Sequence, residues 1–172
     1  MDEPHARFRR EILPHLDAAY NLARWIVGHD AEDVVQEATL RAFKSFQQWR
    51  GDNARAWLLM IVRNCCFTWK QSTRRLRQTV EFDESTDAAR EADGDTDPIA
   101  ILDRRTDIAT VRAAIAALPV EFRETIVLRE LEQLDYKQIA AIVGVPIGTV
   151  MSRLARARER LRSTLQATEE AG

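Results

Sequence analysis

The chain has 172 residues, 45% of them hydrophobic, which is enough for one large domain or two small ones with a real core. Its formal net charge is −2, charged residues make up 30%, and Gly (6) and Pro (5) are few, as is typical of a helical protein. No segment approaches about 18 consecutive apolar residues, and the N-terminus lacks the uncharged stretch of a signal peptide. We therefore expect a cytoplasmic protein without a membrane span.

The first clear helical pattern lies in GHDAEDVVQEATLRAFKSF, residues 28–46. Asp30 is placed to cap this helix, with Asp33 three residues further on, as in a capping box. Its apolar residues recur at helical spacing and are expected to face a core: Val35, Ala38, Ala42 and Phe46. Its outer face is polar and carries Asp33, Gln36, Glu37 and Arg41. By spacing alone, these polar residues form a solvated helix face.

A second helix is predicted within RGDNARAWLLMIVRNCCFTWKQSTRR, residues 50–75, after a loop and cap at residues 51–53. Its broad apolar stripe contains Ala54, Trp57, Leu58, Ile61, Val62, Cys65 and Trp69. The face roughly opposite carries Arg63, Phe67, Lys70 and Arg74, with Asn64 and Gln71 beside them. Cations next to an aromatic ring suit single-stranded nucleic acid, because charge follows the backbone and the ring stacks on an unpaired base. The alternative is that Phe67 packs on another helix.

The two cysteines, Cys65 and Cys66, are adjacent in the chain. Neighbours on a helix point about 100° apart, so the pair is poorly placed to form a disulfide or a zinc site. The three histidines show no metal-ligand spacing with them either. We expect Cys65 to fill the core, with a redox role as the alternative.

Residues 79–98, TVEFDESTDAAREADGDTDP, carry eight acids and one Arg. This stretch is nearly free of large apolar residues and ends in Asp97-Pro98. Such a composition cannot bury enough apolar surface to form a core of its own. It is interpreted as a flexible acidic linker between two helical lobes.

The second lobe has the pattern of a helix-turn-helix, in DYKQIAAIVGVPIGTVMSRLARARERL. Asp135 is a candidate N-cap, and Gly144 stands where a helix stops and can take the left-handed conformation. A small residue, a turn glycine and a branched residue follow at the spacing that lets two helices cross: Ala140, Gly144 and Val150.

The last helix has two contrasting faces. Val150, Leu154, Ala157 and Leu161 fall on one stripe, at about 100° per residue. Thr149, Ser152, Arg153, Arg156 and Arg160 fall largely opposite. Between Pro146 and Arg162 the chain carries five Arg and one acid. Short hydroxyls followed by arginines suit a recognition helix in a major groove, where the first reach base edges and the second reach phosphates.

These motifs, in this order, resemble the extracytoplasmic-function (ECF) group of sigma factors of bacterial RNA polymerase, in the sigma-70 family. DAEDVVQEATLRAF is similar to the polymerase-binding helix of that group, and WRGDNARAWLLMIVRN is similar to its minus-ten reader. LPVEFRETIVLRELEQLDYKQIAAIVGVPIGTVMSRLARARERL is similar to its minus-thirty-five domain. The resemblance implies an all-α fold of two small helical domains joined by the flexible acidic linker, the C-terminal one a helix-turn-helix. The predicted boundaries are 5–76 for sigma region 2, 77–105 for the linker and 106–167 for sigma region 4.

The resemblance also implies partners and roles. Core RNA polymerase would be bound through its β′ clamp helices and its β flap. This role replaces the interpretation of the polar α-helical residues 33–41 as a solvated face. The β′ contacts would come from Asp33, Gln36, Glu37 and Arg41. The loop at residues 47–53 would hold a base flipped out of the non-template strand. Minus-ten contacts would come from Asn53, Arg63, Asn64, Phe67, Lys70 and Arg74, with Arg75 on a nearby phosphate. Minus-thirty-five contacts would come from Thr149, Ser152, Arg153, Arg156 and Arg160.

The implied protein is a specificity subunit that binds double- and single-stranded promoter DNA and is held by an anti-sigma factor. No catalytic constellation, phosphate loop, cofactor motif or metal-ligand spacing is found in the sequence, so no enzyme is expected. One departure concerns the residues after Asn64, where the family often has an acid and this chain has CCFTWK. The alternatives are a helix-turn-helix repressor and a thiol redox regulator using Cys65 and Cys66.

Overall fold

The computed structural model describes residues 3–79 and 101–171. Within these residues the regular elements are helices, and they form two lobes, as the predicted all-α fold requires. The first lobe consists of α1 (Pro4–Glu11), α2 (Leu16–Val27), α3 (Ala31–Ser45) and α4 (Ala54–Thr79). Short 3-10 turns join them at Leu13–His15, Gly28–Asp30 and Phe46–Gln48.

The second lobe begins with α5 (Ile101–Ala116) and α6 (Val120–Ile126), which continues as a π-helical turn over Val127–Leu131. It ends with α7 (Tyr136–Val143) and α8 (Ile147–Ala171). The predicted linker, 77–105, lies mostly outside the described residues. Its first three residues continue α4 and its last five belong to α5.

Small residues allow α3 to lie close to α2 and α4, with which it packs. Its buried residues are Ala31, Val34, Ala38 and Ala42. Steps of three and four residues place Val34 on this stripe, whereas Val35, which the sequence pattern favoured, is only half-buried. Phe46 is buried as predicted, in the turn that follows α3.

The predicted cap of α3 is wrong in its detail. Asp30 does occupy the N-cap position, but its side chain makes no capping hydrogen bond. A capping residue is normally extended, and Asp30 instead has ψ of 3° because a 3-10 turn leads directly into the helix. Its Oδ2 accepts a hydrogen bond from Trp69 Nε1 at 3.1 Å, so the carboxylate ties α3 to α4.

Helix α4 is covered on two sides, since it packs on α2 and α3 in its own lobe and on α7 of the second lobe. Its buried residues are Leu58, Leu59, Val62, Cys65 and Cys66. Leu59 and Cys66 lie outside the predicted apolar stripe. An apolar stripe on one helix predicts packing against one neighbouring surface. The burial of Leu59 and Cys66 outside that stripe accompanies the packing of α4 on the second lobe.

The helix-turn-helix forms as the sequence predicted. Asp135 caps α7 in a capping box, in which Gln138 N donates to Asp135 Oδ1 at 2.7 Å and Asp135 N donates to Gln138 Oε1 at 3.0 Å. Gly144 ends α7 in the left-handed conformation, with φ 72° and ψ 36°. On α8, Val150, Leu154 and Ala157 are buried, which confirms the inner stripe.

The axes of α7 and α8 are bent by 99°, within the range of helix-turn-helix units. Among the described residues, no single helix is long and apolar enough to cross a membrane. This helix pair reaches the required length and hydropathy only when its two members are counted together.

The two lobes pack against each other. Helix α2 contacts α6, and α4 contacts α7, so the buried apolar residues form one continuous cluster. Ion pairs between side chains of the two lobes accompany these apolar contacts. Helix α4 thus lies at the centre of the molecule, between its own lobe and the helix-turn-helix.

The turn glycine provides a stability test of the helix-turn-helix. Gly144→Ala should lower the free energy of unfolding by about 1–2 kcal/mol, because a Cβ in the left-handed region is strained even though no atom lies within 4 Å of it. Gly148→Ala is the matched control, since Gly148 lies in α8 with open space around it. The control should be neutral or stabilising by up to about 1 kcal/mol. Urea unfolding of both variants measures this, and equal effects would contradict the role of the turn.

Candidate polymerase and nucleic-acid interfaces

The four residues assigned to polymerase binding lie together on the exposed side of α3. Asp33, Gln36, Glu37 and Arg41 are all exposed. They line a cleft of about 410 Å³ between α3 and α4, together with Val34, Leu40, Cys65, Thr68, Trp69 and Ser72. Leu40 is 58% exposed at this cleft. An exposed aliphatic residue among acids and one cation is suited to binding a protein surface.

Within this group, Arg41 Nε donates to Glu37 Oε1 at 2.8 Å, one helical turn away. The hydrogen bond to Glu37 raises the pKa of Arg41. Both side chains remain about half exposed, so the pair contributes little to stability. Its effect is to fix the position of two charges on the cleft wall.

Both cysteines are buried and free. Burial raises the pKa of Cys65, and burial together with neighbouring Cys65 raises the pKa of Cys66 to about 12. Both thiols are therefore protonated at neutral pH and weakly reactive, which favours the core-filling interpretation.

The loop at residues 47–53 rests on a cluster of aromatic rings. Trp49 lies 5.6 Å from Phe46 and 5.7 Å from Trp57, measured between ring centroids, and its Nε1 donates to Asp52 O at 2.9 Å. Arg7 from α1 lies over the rings of both Phe46 and Trp49, at 5.4 and 5.7 Å. Arg7 was not among the predicted site residues, because no local sequence pattern indicates that α1 reaches this loop.

Asn53, predicted to contact a base, also caps a helix. Its Oδ1 accepts a hydrogen bond from Ala56 N at 3.0 Å and so caps α4. Its φ is 33°, in the left-handed region that Asn tolerates better than most residues. The side-chain oxygen of Asn53 is thus engaged by the helix, while the residue remains exposed.

The residues assigned to the minus-ten strand divide into two groups along α4. Asn64, Lys70 and Arg74 are exposed. Burial, followed by the charges of Arg123 and Arg74, lowers the pKa of Lys70. Arg63 instead reaches the second lobe, and its guanidinium lies 3.9 Å from the centroid of the Phe67 ring. Phe67 is half-buried and packs against the core, which favours the packing alternative over a fully exposed ring.

Arg63 is bound by an acid of the second lobe that was not among the predicted site residues. Its Nε donates to Glu124 Oε2 at 2.9 Å, and its Nη2 donates to Glu124 Oε1 at 3.1 Å. Glu124 is fully buried in α6. Burial raises the pKa of Glu124, and the hydrogen bonds and charge of Arg63 act in the opposite direction. Glu124 lies two residues from both Phe122 and Ile126, about 200° away around α6, so helical spacing did not indicate that this acid is buried.

The residues assigned to the minus-thirty-five element all lie on α8 but differ in their surroundings. Ser152, Arg156 and Arg160 are exposed, Thr149 and Arg153 are half-buried, and Ser152 Oγ donates to Thr149 O at 3.0 Å. Arg153 is turned inward, with Nη1 4.0 Å from Glu124 Oε1. The Arg160 guanidinium lies 5.1 Å from the centroid of the Phe122 ring. The predicted reading face is therefore only partly presented to solvent.

Two family descriptions match the chain. Sigma-70 region 2 matches residues 12–76, and Sigma-70, region 4 matches residues 108–161. The ECF RNA polymerase sigma factor SigE of Mycolicibacterium smegmatis is 37% identical over 156 residues, covering 90% of this chain and 60% of that protein. The ECF RNA polymerase sigma-E factor of Escherichia coli K12 is 33% identical over 153 residues, covering 84% of this chain and 78% of that protein.

Two solved structures share the fold. The sigma factor RpoE of Bartonella quintana, determined with the anti-sigma factor NepR, gives a TM-score of 0.74 at 30% identity, covering 93% of this chain and 97% of that one. CnrH, determined with the cytosolic domain of CnrY, gives 0.63 at 25% identity, covering 93% and 88%. Both lobes and their order are thus those of a two-domain transcription initiation factor.

The chain belongs to the ECF sigma factors of the sigma-70 family. Proteins of this family are initiation factors without catalytic activity, so the chain is not an enzyme. The repressor alternative is wrong, because the first lobe matches a sigma region that a repressor does not need. The chain spans 60% of the length of the Mycolicibacterium relative and 78% of the Escherichia relative.

The cap at Asn53 generates a prediction that separates folding from DNA contact. Asn53→Ala should lower the free energy of unfolding by about 0.5–2 kcal/mol, because the Ala56 amide loses its acceptor. Asn53→Asp should keep the cap and the stability, since Asp is an equally good capping residue. Thermal unfolding measures both variants. Loss of stability in the Asp variant as large as that in the Ala variant would contradict the capping role.

Proposed function

We propose that this chain binds core RNA polymerase and directs it to promoters, reading a minus-thirty-five element and a minus-ten element and capturing melted non-template DNA. The observation that carries the proposal is the presence in one chain of two separate helices with nucleic-acid character, α4 and α8, next to an acidic protein-binding cleft on α3. A cytoplasmic location follows from this function, since the polymerase and the promoters are there.

The polymerase face consists of Asp33, Gln36, Glu37 and Arg41 at the α3–α4 cleft. These side chains would meet the β′ clamp helices, and the second lobe would meet the β flap. Leu40 adds an exposed apolar contact among the charges. Complementary charge around an apolar centre gives both orientation and affinity at a protein interface.

The minus-ten surface consists of the loop at residues 47–53 and the outer face of α4. Asn64, Lys70 and Arg74 are exposed there, with Arg63 and Phe67 beside them, and Asn53 joins the loop to the helix. The aromatic cluster beneath Trp49 gives the loop a rigid base. A rigid loop next to cations can hold an unstacked base, and stacking contributes on the order of 1–3 kcal/mol per base.

The minus-thirty-five surface is the outer face of α8. Thr149 and Ser152 lie in its first two turns, where a recognition helix reads base edges, and Arg153, Arg156 and Arg160 follow. An anti-sigma partner is also proposed. Its support is the likeness to RpoE and CnrH, whose solved structures contain an anti-sigma factor and a cytosolic domain, respectively.

The polymerase face can be tested with a matched pair of charge reversals. Asp33→Lys should reduce binding to core polymerase and run-off transcription, because it places a cation on the cleft wall. Glu32→Lys is the control, since Glu32 also lies exposed in the first turn of α3 but does not line the cleft. Each change should cost about 0.3–1 kcal/mol of stability through the helix dipole.

Co-purification with core polymerase and run-off transcription from a genomic promoter library give the two readouts. The proposed function requires wild-type transcription that depends on the added chain, with a loss only in the Asp33 variant. Equal binding of core polymerase by the two variants would contradict the assignment of the α3–α4 cleft to polymerase binding. No transcription by wild type with core polymerase would remove the proposed function itself.

The recognition helix is tested by Arg156→Ala against Arg158→Ala. Arg156 is exposed on the predicted reading face, whereas Arg158 Nη2 donates to Glu130 Oε1 at 2.8 Å within the second lobe. If Arg156 contacts a phosphate, its removal should weaken promoter binding at all sequences and reduce the slope of log affinity against log salt by about 1. Holoenzyme titrations at several salt concentrations measure this. A slope unchanged in the Arg156 variant, or reduced equally in the Arg158 variant, would contradict the assignment.

A further inference from the structure

Helix α1 brings a cation to the loop at residues 47–53. The Arg7 guanidinium lies over the rings of Phe46 and Trp49, with its central carbon 5.4 and 5.7 Å from the two ring centroids. Its Nη2 also lies close to the tip of the loop, since a Cβ built on Gly51 would be 3.8 Å from it. A cation within about 6 Å of a ring centroid is attracted to the ring face. Arg7 therefore contacts this loop from a helix outside it.

The position of Arg7 is fixed by the packing of α1. Its neighbour Phe8 is buried and meets Phe43 and Phe46 edge-on, with 5.2 Å between the ring centroids in each pair. His5 of the same helix stacks on Phe43 at 5.1 Å. These ring contacts hold α1 against α3 and the turn that follows it. The folded lobe itself thus presents the guanidinium to the loop.

The N–H groups of Arg7 are available to a ligand. Arg7 is exposed, and within residues 3–79 and 101–171 no side chain or carbonyl oxygen pairs with its guanidinium. A guanidinium carries five N–H donors in a planar fork that matches a phosphate group. The two ring contacts use none of these donors in a hydrogen bond to oxygen. Arg55 and Arg63 of α4 differ from Arg7, because each is bound by a buried acid of the second lobe.

We propose that Arg7 binds a backbone phosphate of the captured single strand, next to the base held by the loop at residues 47–53. The proposal rests on the proposed function, because it takes this loop as the place where a base of the non-template strand is held. A base that leaves the stack turns about its own backbone, so the phosphates beside it lie at the mouth of the pocket. Arg7 binds one of them through two parallel hydrogen bonds, a geometry in which arginine and phosphate pair strongly.

The ring contacts make this cation effective. A long side chain that is free in solvent loses rotamer freedom when it binds a ligand. Arg7 is already held over Phe46 and Trp49, and Trp49 is itself held by the hydrogen bond from its Nε1 to Asp52 O at 2.9 Å. Less freedom therefore remains to be lost. A cation held in this way contributes to affinity and also sets where the backbone of the strand enters the loop.

A phosphate contact differs measurably from mere support of the loop. Support of the loop acts on every strand alike, whereas a phosphate contact acts at one linkage. The test is binding of holoenzyme to single-stranded minus-ten oligonucleotides in which one phosphate at a time is an uncharged methylphosphonate. The oligonucleotide carries the non-template sequence of a promoter that the wild-type chain transcribes, and replacing each base in turn locates the captured base.

Wild type should lose affinity severalfold at one linkage beside the captured base, because Arg7 loses its charged acceptor there. Arg7→Ala should bind the unmodified strand severalfold more weakly and lose little more at that linkage, with the wild-type response at the others. Arg7→Lys keeps the charge without the fork and should restore part of the loss. Arg9→Ala is the control, since Arg9 is exposed on α1 about 200° around the helix from Arg7. It should keep the whole wild-type profile.

Equal sensitivity of wild type and Arg7→Ala at every linkage would overturn the phosphate contact. A wild type that binds the strands without loss at any linkage beside the captured base would overturn it as well. Thermal unfolding of the free chain checks the fold, and where Arg7→Ala melts well below wild type, Arg7→Gln takes its place with the same expectation. These outcomes stand apart from the proposed function, which fails if wild type does not transcribe with core polymerase.

Discussion

A carboxylate enclosed in a packed interior must have cationic partners, and Glu124 sets this requirement at the centre of the molecule. Its own lobe supplies Arg153 at 4.0 Å, which is too distant to satisfy both oxygens. The first lobe supplies Arg63, which does satisfy them. Arg63 can reach Glu124 only because α6 packs against α2 and α7 packs against α4, so the ion pair and the packing of the lobes depend on each other.

Helix α4 is the element that connects these constraints. One side completes the first lobe, and the side next to it carries the residues assigned to the minus-ten strand. Burial on both sides accounts for Cys66, whose thiol pKa rises to about 12, and for the half-buried position of Phe67. Because α4 packs on both lobes, it cannot present its whole polar face to DNA while the second lobe remains in place.

The features that the sequence predicted well are those decided within one or two helical turns. The capping box of Asp135 and Gln138, the left-handed Gly144 and the inner stripe of α8 depend only on near neighbours in the chain. The exposure of the four α3 residues assigned to polymerase binding follows in the same way from helical spacing. The predictions that failed or were incomplete involve distant partners. Asp30 bonds Trp69 instead of capping its helix, and Arg63 bonds an acid 61 residues away, which no periodicity can locate.

The arginine run on α8 shows why composition indicates a partner but not a mechanism. Arg153 approaches Glu124, Arg158 binds Glu130, and Arg160 lies over Phe122. Three of these guanidinium groups therefore have partners within the protein. Arg156, Arg158 and Arg160 are all exposed. On the proposed function, Arg153 and Arg160 would exchange an acid or a ring for a phosphate when DNA binds, so the gain would be smaller than for a hydrated cation. Affinity for the promoter would then depend on the acids of the second lobe as well as on its arginines.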